Sequence, residues 1–346
     1  MSAFSFYTPE ETAAIEEKSA GGIVFDTEAI VEAAFQHFRK TGFPYRNLPL
    51  HVSMQEINQL ANTPLEDLFH THLGYQVADT YHPHRFHASA IGMNNPFDAF
   101  NSDKLLRRVL NLDIKYGGKI MESCLHHLMT VSGTQGCSNF RPGFASLMYR
   151  TYCKKGDTVL DTSTGYGGRI VGFIAARIAG TYIGIDPNTK TFEGNTRMAA
   201  ELGYADRVRL IHSPAEDVDV DFAGIREVCD FGFTSPPYFR KEIYSAEDTQ
   251  SCNRYTTGDA WRAGFLLPML RLQFAALKPG AFSAVNIAPV KVKGETYPLD
   301  KWTRECAAEV GFQFVKLDQF RLAARFGAGM AEEVAFEPVI ILQKPA

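Results

Sequence analysis

Residues 158–169 read Thr158-Val-Leu-Asp161-Thr162-Ser-Thr-Gly165-Tyr-Gly167-Gly168-Arg169, and the rest of the chain is best placed around them. A short β-branched run ends in a carboxylate, passes through a glycine-rich turn and enters a helical stretch, Gly168–Ala179. Glycines in such a turn let a ligand approach the backbone at the carboxyl end of a strand, where open α/β sheets bind their ligands. The next strand, Thr181–Asp186, ends in a second carboxylate 21 residues beyond Gly165, a suitable place to hold ribose hydroxyls. A dinucleotide fingerprint would carry Gly or Ala where this chain has Ile170, and there is no Gly-x-x-x-x-Gly-Lys-Ser/Thr phosphate loop. The turn therefore reads as a nucleoside-cofactor site of another kind.

Further strands follow at Val208–His212, Val228–Thr234 and Phe282–Ile287, separated by helical stretches at Thr189–Leu202 and Ala260–Leu277. Strands alternating with helices imply a parallel sheet covered on both faces. Helix Leu299–Val310 is followed by two strands, Gln313–Leu322 and Pro338–Gln343, with no helix between them, so they are expected as an antiparallel pair at one edge. Upstream the pattern is helical. Start signals fall at Thr8-Pro9 with Glu11, at Asp26 before Thr27–Lys40, at Ser53 with Glu56, and at Thr63-Pro64 with Glu66, which Gly74 would stop. Ile30, Ala33, Ala34, His37 and Phe38 suit a one-sided helix, and further helices are expected at Asp98–Leu110 and Lys119–Val131. The chain thus divides into a helical region, 1–135, and an α/β domain, 136–346.

Composition agrees with two domains: 346 residues, 45% hydrophobic and 21% charged, enough to bury a sizeable core. No apolar run reaches the roughly 18 residues of a membrane span. The acidic start, MSAFSFYTPEE, lacks the layout of a signal peptide, so a cytoplasmic location without membrane attachment is expected. Net charge is −4, and residues 1–130 carry 10 Lys/Arg against 15 Asp/Glu, so broad electrostatic binding of nucleic acid is not advertised. The six cysteines include no CxxC pair and read as reduced thiols.

A second motif follows the fourth strand: Phe233-Thr234-Ser235-Pro236-Pro237-Tyr238-Phe239. Two prolines fix the backbone and remove two N–H donors. Carbonyl acceptors are thereby presented at the carboxyl edge of the sheet, beside a small hydroxyl and an aromatic ring.

Asp161-x-x-x-Gly165-x-Gly167 followed by Ser-Pro-Pro-Tyr resembles the S-adenosylmethionine-dependent amino-methyltransferases of DNA, over roughly Cys137 to Ala346. The resemblance implies a Rossmann-like class I methyltransferase sheet that methylates N4 of cytosine or N6 of adenine, with cytosine slightly favoured by the serine. It implies S-adenosylmethionine contacts from Phe140 and Arg141, from Asp161, Thr162, Gly165 and Gly167, and from Asp186 on the ribose. Either Glu216 or Asp217 would meet the adenine edge. Ser235 Oγ and the Pro236 carbonyl would accept hydrogen bonds from the target amine, with Pro237 holding the turn and Tyr238 stacking on the base.

Phe239, Glu242, Tyr244 and Arg85 are further substrate-contact candidates. Only the loops Arg240–Asp259 and Ala323–Phe336 remain in the catalytic domain to read a target, so recognition falls to the helical region, to a protein partner, or to a single-stranded or unusual substrate. The expected partner is nucleic acid, DNA ahead of RNA. An RNA base methyltransferase and a noncatalytic binding module are the alternatives. His70, His72, His82, His84 and His87 lack a standard ligand spacing, and no metal is expected.

Overall fold

The computed structural model describes residues 27–115, 120–321 and 336–346. The start signals at Thr8–Glu11 and Asp26, the helix start at Lys119 and residues 323–335 of the late loop lie outside these.

Seven strands build one sheet: β1 Thr158–Asp161, β2 Thr181–Asp186, β3 Val208–His212, β4 Cys229–Thr234, β5 Leu277–Asn286, β6 Gln313–Arg321 and β7 Phe336–Gln343. Their order is β6-β7-β5-β4-β1-β2-β3. The pairs from β5 through β3 are parallel, with Val159 opposite Phe231 and Tyr182 opposite Val208. β7 runs antiparallel to both its neighbours, Val339 facing Asn286 and Ile340 facing Leu317. This is the mostly parallel Rossmann-like sheet expected, with its antiparallel edge formed by the last two strands. The central strands are apolar because helices cover both faces: Val159, Leu160, Ile185, Phe231 and Phe233 are fully buried.

Several segment ends differ from expectation, two of them at the sheet. β5 begins at Leu277, five residues early, and its register against β4 is irregular there; Gly280, at φ +79°, turns to give its N–H to the Lys344 carbonyl. The helix after β1 stops at Ala176 because Arg177 adopts a left-handed conformation.

Two compact units account for the described residues: 27–45 with 84–137, and 46–83 with 138–346. The first is helical. Its core takes Val31, Ala34, Phe35 and Phe38 from helix Thr27–Thr41, a stripe turned by about one residue from the predicted one, with Leu106, Val109 and Leu110. The predicted helix Asp98–Leu110 is two, Pro96–Asn101 and Asp103–Lys115, broken where Ser102 is extended. Asn95 caps the first by accepting from Asp98 N.

Residues 46–83 pack with the sheet. Leu60, Leu68, Val77 and Ala78 share a core with Phe144, Tyr149 and Ile170. Helix Leu50–Asn62 starts before Ser53, which lies buried inside it instead of capping it. Its carboxyl end is capped by Arg150, whose guanidinium donates to the carbonyls of Leu60, Ala61 and Thr63 at 3.1, 2.7 and 2.9 Å. Thr63-Pro64 opens only a single turn, Leu65–Asp67. Gly74, at φ +86°, precedes helix Tyr75–Tyr81 where a helix stop was expected.

Candidate active site

The carboxyl ends of β1, β2, β4 and β5 border one pocket in the 46–83/138–346 unit, lined by the 162–166 turn, Asp186–Asn188, Ser235–Tyr238 and Asn286. The glycine-rich turn is shaped from both sides. Gly167 (φ +76°) begins the helix, and a Cβ on Gly168 would stand 2.1 Å from the Phe140 carbonyl, so the 139–140 segment can lie against the turn only because the residue is glycine. Asn139 donates to the Tyr166 carbonyl and Asn195 to the Gly165 carbonyl, both at 2.9 Å. Phe140, Thr162 and Gly165 line the pocket. Thr162 Oγ1 accepts from Gln273, whose amide oxygen accepts in turn from Ser283.

Asp161 has a different place from the one implied. It is fully buried under the turn, bound to Arg169 Nε at 2.7 Å and to the Tyr182 hydroxyl at 2.5 Å, and it does not line the pocket. Gly167 also sits outside the lining. Arg141 is buried, donates to the Phe69 carbonyl at 2.5 Å and lies outside the lining.

At the next strand end, Asp186 lines the pocket with its carboxylate held by two backbone donors: Oδ2 accepts from Gly165 N at 2.8 Å and Oδ1 from Asn188 N at 2.9 Å. Burial pushes its pKa up to about 6 against the pull of those N–H groups. Beyond β3, Glu216 lines the pocket and is almost wholly buried, while Asp217 is 46% exposed and lies outside the lining. Arg254 bridges the two at 3.0 and 2.8 Å. Burial raises the Glu216 pKa. Gln250, a residue that sequence reasoning missed, is buried in the same lining, and its Nε2 donor has no partner among the described residues.

At the other end Ser235, Pro236, Pro237 and Tyr238 all line the pocket, joined by Lys241, Glu242, Tyr244 and Glu337. The Tyr238 hydroxyl lies 3.1 Å from Glu337 Oε2 and 3.5 Å from the Asn286 carbonyl, with Lys241 Nζ 5.3 Å from the ring centre. Burial, then the Glu337 charge, lifts the phenol pKa well above its ordinary value. Glu242 accepts from Tyr244 at 2.5 Å, and burial raises its pKa too. Glu337 carried no local signal in the sequence; only the pairing of β7 with β5 brings it here.

Two substrate candidates lie elsewhere. Phe239 turns inward at φ +52° and packs on Trp261 and Tyr297, 2% exposed. Arg85 belongs to the 27–45/84–137 unit, buried, donating to the Cys137 carbonyl at 2.8 Å.

No family profile matches the chain, and no curated protein matches it. Solved structures with a similar fold include TrmN from Thermus thermophilus, at 16% identity over 59% of this chain and 48% of that one, TM-score 0.42. Others are an S-adenosylmethionine-dependent O-methyltransferase from Thermotoga maritima (14% identity, 61% and 68% covered, TM-score 0.38) and a methyltransferase from Pyrococcus furiosus (18%, 59% and 83%, 0.38). The chain spans about half the length of TrmN. Likenesses of this size carry nothing about substrate, so the chemistry rests on the residues themselves. Among the described residues no helix is long and apolar enough to cross a membrane, and no group of three or more His, Cys, Asp or Glu is arranged to hold a metal ion.

Proposed function

We propose that the chain binds S-adenosylmethionine in this pocket and methylates an exocyclic amine of a nucleic-acid base, in DNA ahead of RNA, at N4 of cytosine ahead of N6 of adenine. The observation that carries the proposal is that Ser235–Tyr238 and the Gly165–Asp186 corner line one and the same pocket. The residues present suit the cofactor: Asp186 offers its remaining lone pairs to a ribose diol, Glu216 faces the same lining, and Gln250 supplies a buried donor that needs an acceptor. When bound, the cofactor supplies an electrophilic methyl group.

The chain's own part is alignment. An exocyclic amine is a poor nucleophile because its lone pair is delocalised into the ring. Ser235 Oγ and the Pro236 carbonyl accept its two N–H bonds outside the ring plane, which favours a tetrahedral nitrogen with its lone pair aimed at the methyl group. Alignment of this kind is worth about 7–11 kcal/mol in favourable intramolecular cases. In a duplex the base first leaves the stack, at a cost of a few kcal/mol that the Tyr238 ring partly offsets. The motif's resemblance to DNA enzymes is what favours DNA.

Nucleoside mass spectrometry after incubation with S-adenosylmethionine and, separately, unmodified DNA and RNA tests the proposal. One added methyl on deoxycytidine or deoxyadenosine is expected. Methylated ribonucleosides alone would move the substrate to RNA, and no product with the cofactor bound would overturn the enzymatic reading.

A further inference from the structure

Glu337 is a partly buried carboxylate that takes no part in aligning the amine. It reaches the transfer end of the pocket from β7, and its Oε2 stands 3.1 Å from the Tyr238 hydroxyl. Ser235 lines the same end of the pocket three residues before Tyr238, and its hydroxyl pulls the phenol pKa down against burial and the Glu337 charge. Ser235 can accept from an amine only if its own proton points elsewhere, and Tyr238 Oη is a place for it. The phenol proton in turn needs an acceptor, and Glu337 is one.

We infer that Ser235, Tyr238 and Glu337 form a proton relay, with Glu337 the positioning residue that orients the two hydroxyls and receives the proton the amine must lose. The inference rests on the proposed methyl transfer. As the nitrogen–methyl bond forms, the methyl–sulfur bonding pair stays on sulfur and the nitrogen becomes positively charged. One amine proton then passes to Ser235 Oγ, the serine proton to Tyr238 Oη and the phenol proton to Glu337. The products are a neutral methylamine, a neutral thioether and a protonated Glu337, which returns its proton to solvent between turnovers. The geometry accommodates the protonated state. Once Glu337 carries a proton it can donate to Tyr238 Oη, and the phenol proton has a second acceptor in the Asn286 carbonyl at 3.5 Å.

The charged and titratable groups acting on Glu337, among the described residues, are Lys241, Tyr238 and Glu242. Burial raises the Glu337 pKa, Lys241 and the Tyr238 hydroxyl pull it down, and the repulsion between Glu242 and Glu337 disfavours ionising both. The relay runs with Glu337 ionised, so turnover is lost as pH falls through that raised value.

Two measurements on the full chain test the relay. In a carbon-13 titration of glutamate carboxyls, with the Glu337 signal assigned by its loss in Glu337→Gln, Tyr238→Phe should move the Glu337 midpoint upward. Ser235→Ala should move it upward by a smaller step, because a hydroxyl that polarises its neighbour strengthens the next bond. In single-turnover methylation, Glu337→Gln should slow the step by about 10- to 100-fold with little change in KM and abolish the acid limb of the pH profile, within the range of general-base effects. A midpoint unmoved by Ser235→Ala, or a Glu337→Gln profile matching wild type, overturns the relay while methylation stands. If the wild-type chain methylates nothing, the functional proposal falls, and the titration alone decides whether the relay is connected.

Discussion

Arg169 Nε stands 2.7 Å from Asp161 Oδ2, with both side chains buried directly beneath the glycine-rich turn. The same guanidinium donates to the Ser163 carbonyl and lies 4.8 Å from the centre of the Phe140 ring. One ion pair therefore ties the strand end, the turn and the segment before the sheet. Removing one partner leaves a buried charge alone, which costs about 3–5 kcal/mol. Arg169→Leu should lower unfolding stability by that amount in a denaturant titration; a loss under 1 kcal/mol would show that the pair is not holding the turn.

Asp186 gives a pH prediction with two signs. Its folded pKa, about 6, lies above the ordinary carboxylate value, so the folded chain binds a proton that the unfolded chain has released. Stability of the free protein should fall as pH rises from about 4 to about 6, after which this contribution levels off. S-adenosylmethionine affinity should run the other way, because a ribose diol donates to the ionised form. Calorimetry should show affinity flat above pH 7 and weakening toward tenfold per unit below about 6. Asp186→Ala should weaken binding several-fold and flatten that dependence; unchanged affinity would remove Asp186 from the ribose role.

Gln250 separates binding from stability. Its Nε2 donor is buried without a partner among the described residues, a state that costs about 1–3 kcal/mol. Gln250→Leu should leave melting temperature unchanged or higher while weakening cofactor affinity several-fold. Equal affinity in the two proteins would mean that the donor meets no cofactor atom.

Ser235→Ala removes one acceptor for the amine and leaves the cofactor end intact. Losing one hydrogen bond that strengthens as charge develops corresponds to about 1.5–3 kcal/mol, or roughly 10- to 150-fold in rate. The loss should fall on kcat, with S-adenosylmethionine affinity within twofold of wild type. A loss confined to KM would make Ser235 a binding group only.

Gly168→Ala tests the packing of the turn. Its new Cβ would meet the Phe140 carbonyl at 2.1 Å, against backbone that cannot swing aside. Overpacking of this kind costs about 1–3 kcal/mol. A thermal melt within a degree of wild type would show that the 139–140 segment is free to move.

The sheet was legible in the chain because each central strand is short, apolar and buried on both faces, leaving runs such as Val228–Thr234 no other reading. The places of Gly165, Asp186 and Ser235–Tyr238 in the pocket lining were legible because local turn chemistry announces them. Arg141 and Phe239 each adjoin a residue that lines the pocket but lie outside the lining themselves, Arg141 donating to the Phe69 carbonyl and Phe239 packing on Trp261 and Tyr297. Glu337 and Gln250 could not be found at all, since the pairing of distant strands and the path of a long loop bring them in. The helix starts at Ser53 and Thr63 failed because tertiary packing outweighed a local capping signal; Ser53 is buried inside its helix.

Residues 46–83 carry a consequence for synthesis. Leu60, Leu68 and Val77 have their apolar partners at Phe144, Tyr149 and Ile170, and the carbonyls at 60–63 wait for Arg150. A ribosome delivers residues 84–137, which belong to the other unit, before any of those partners exists. The helices of 46–83 leave the exit tunnel with exposed greasy faces and must stay unaggregated while about sixty more residues are made.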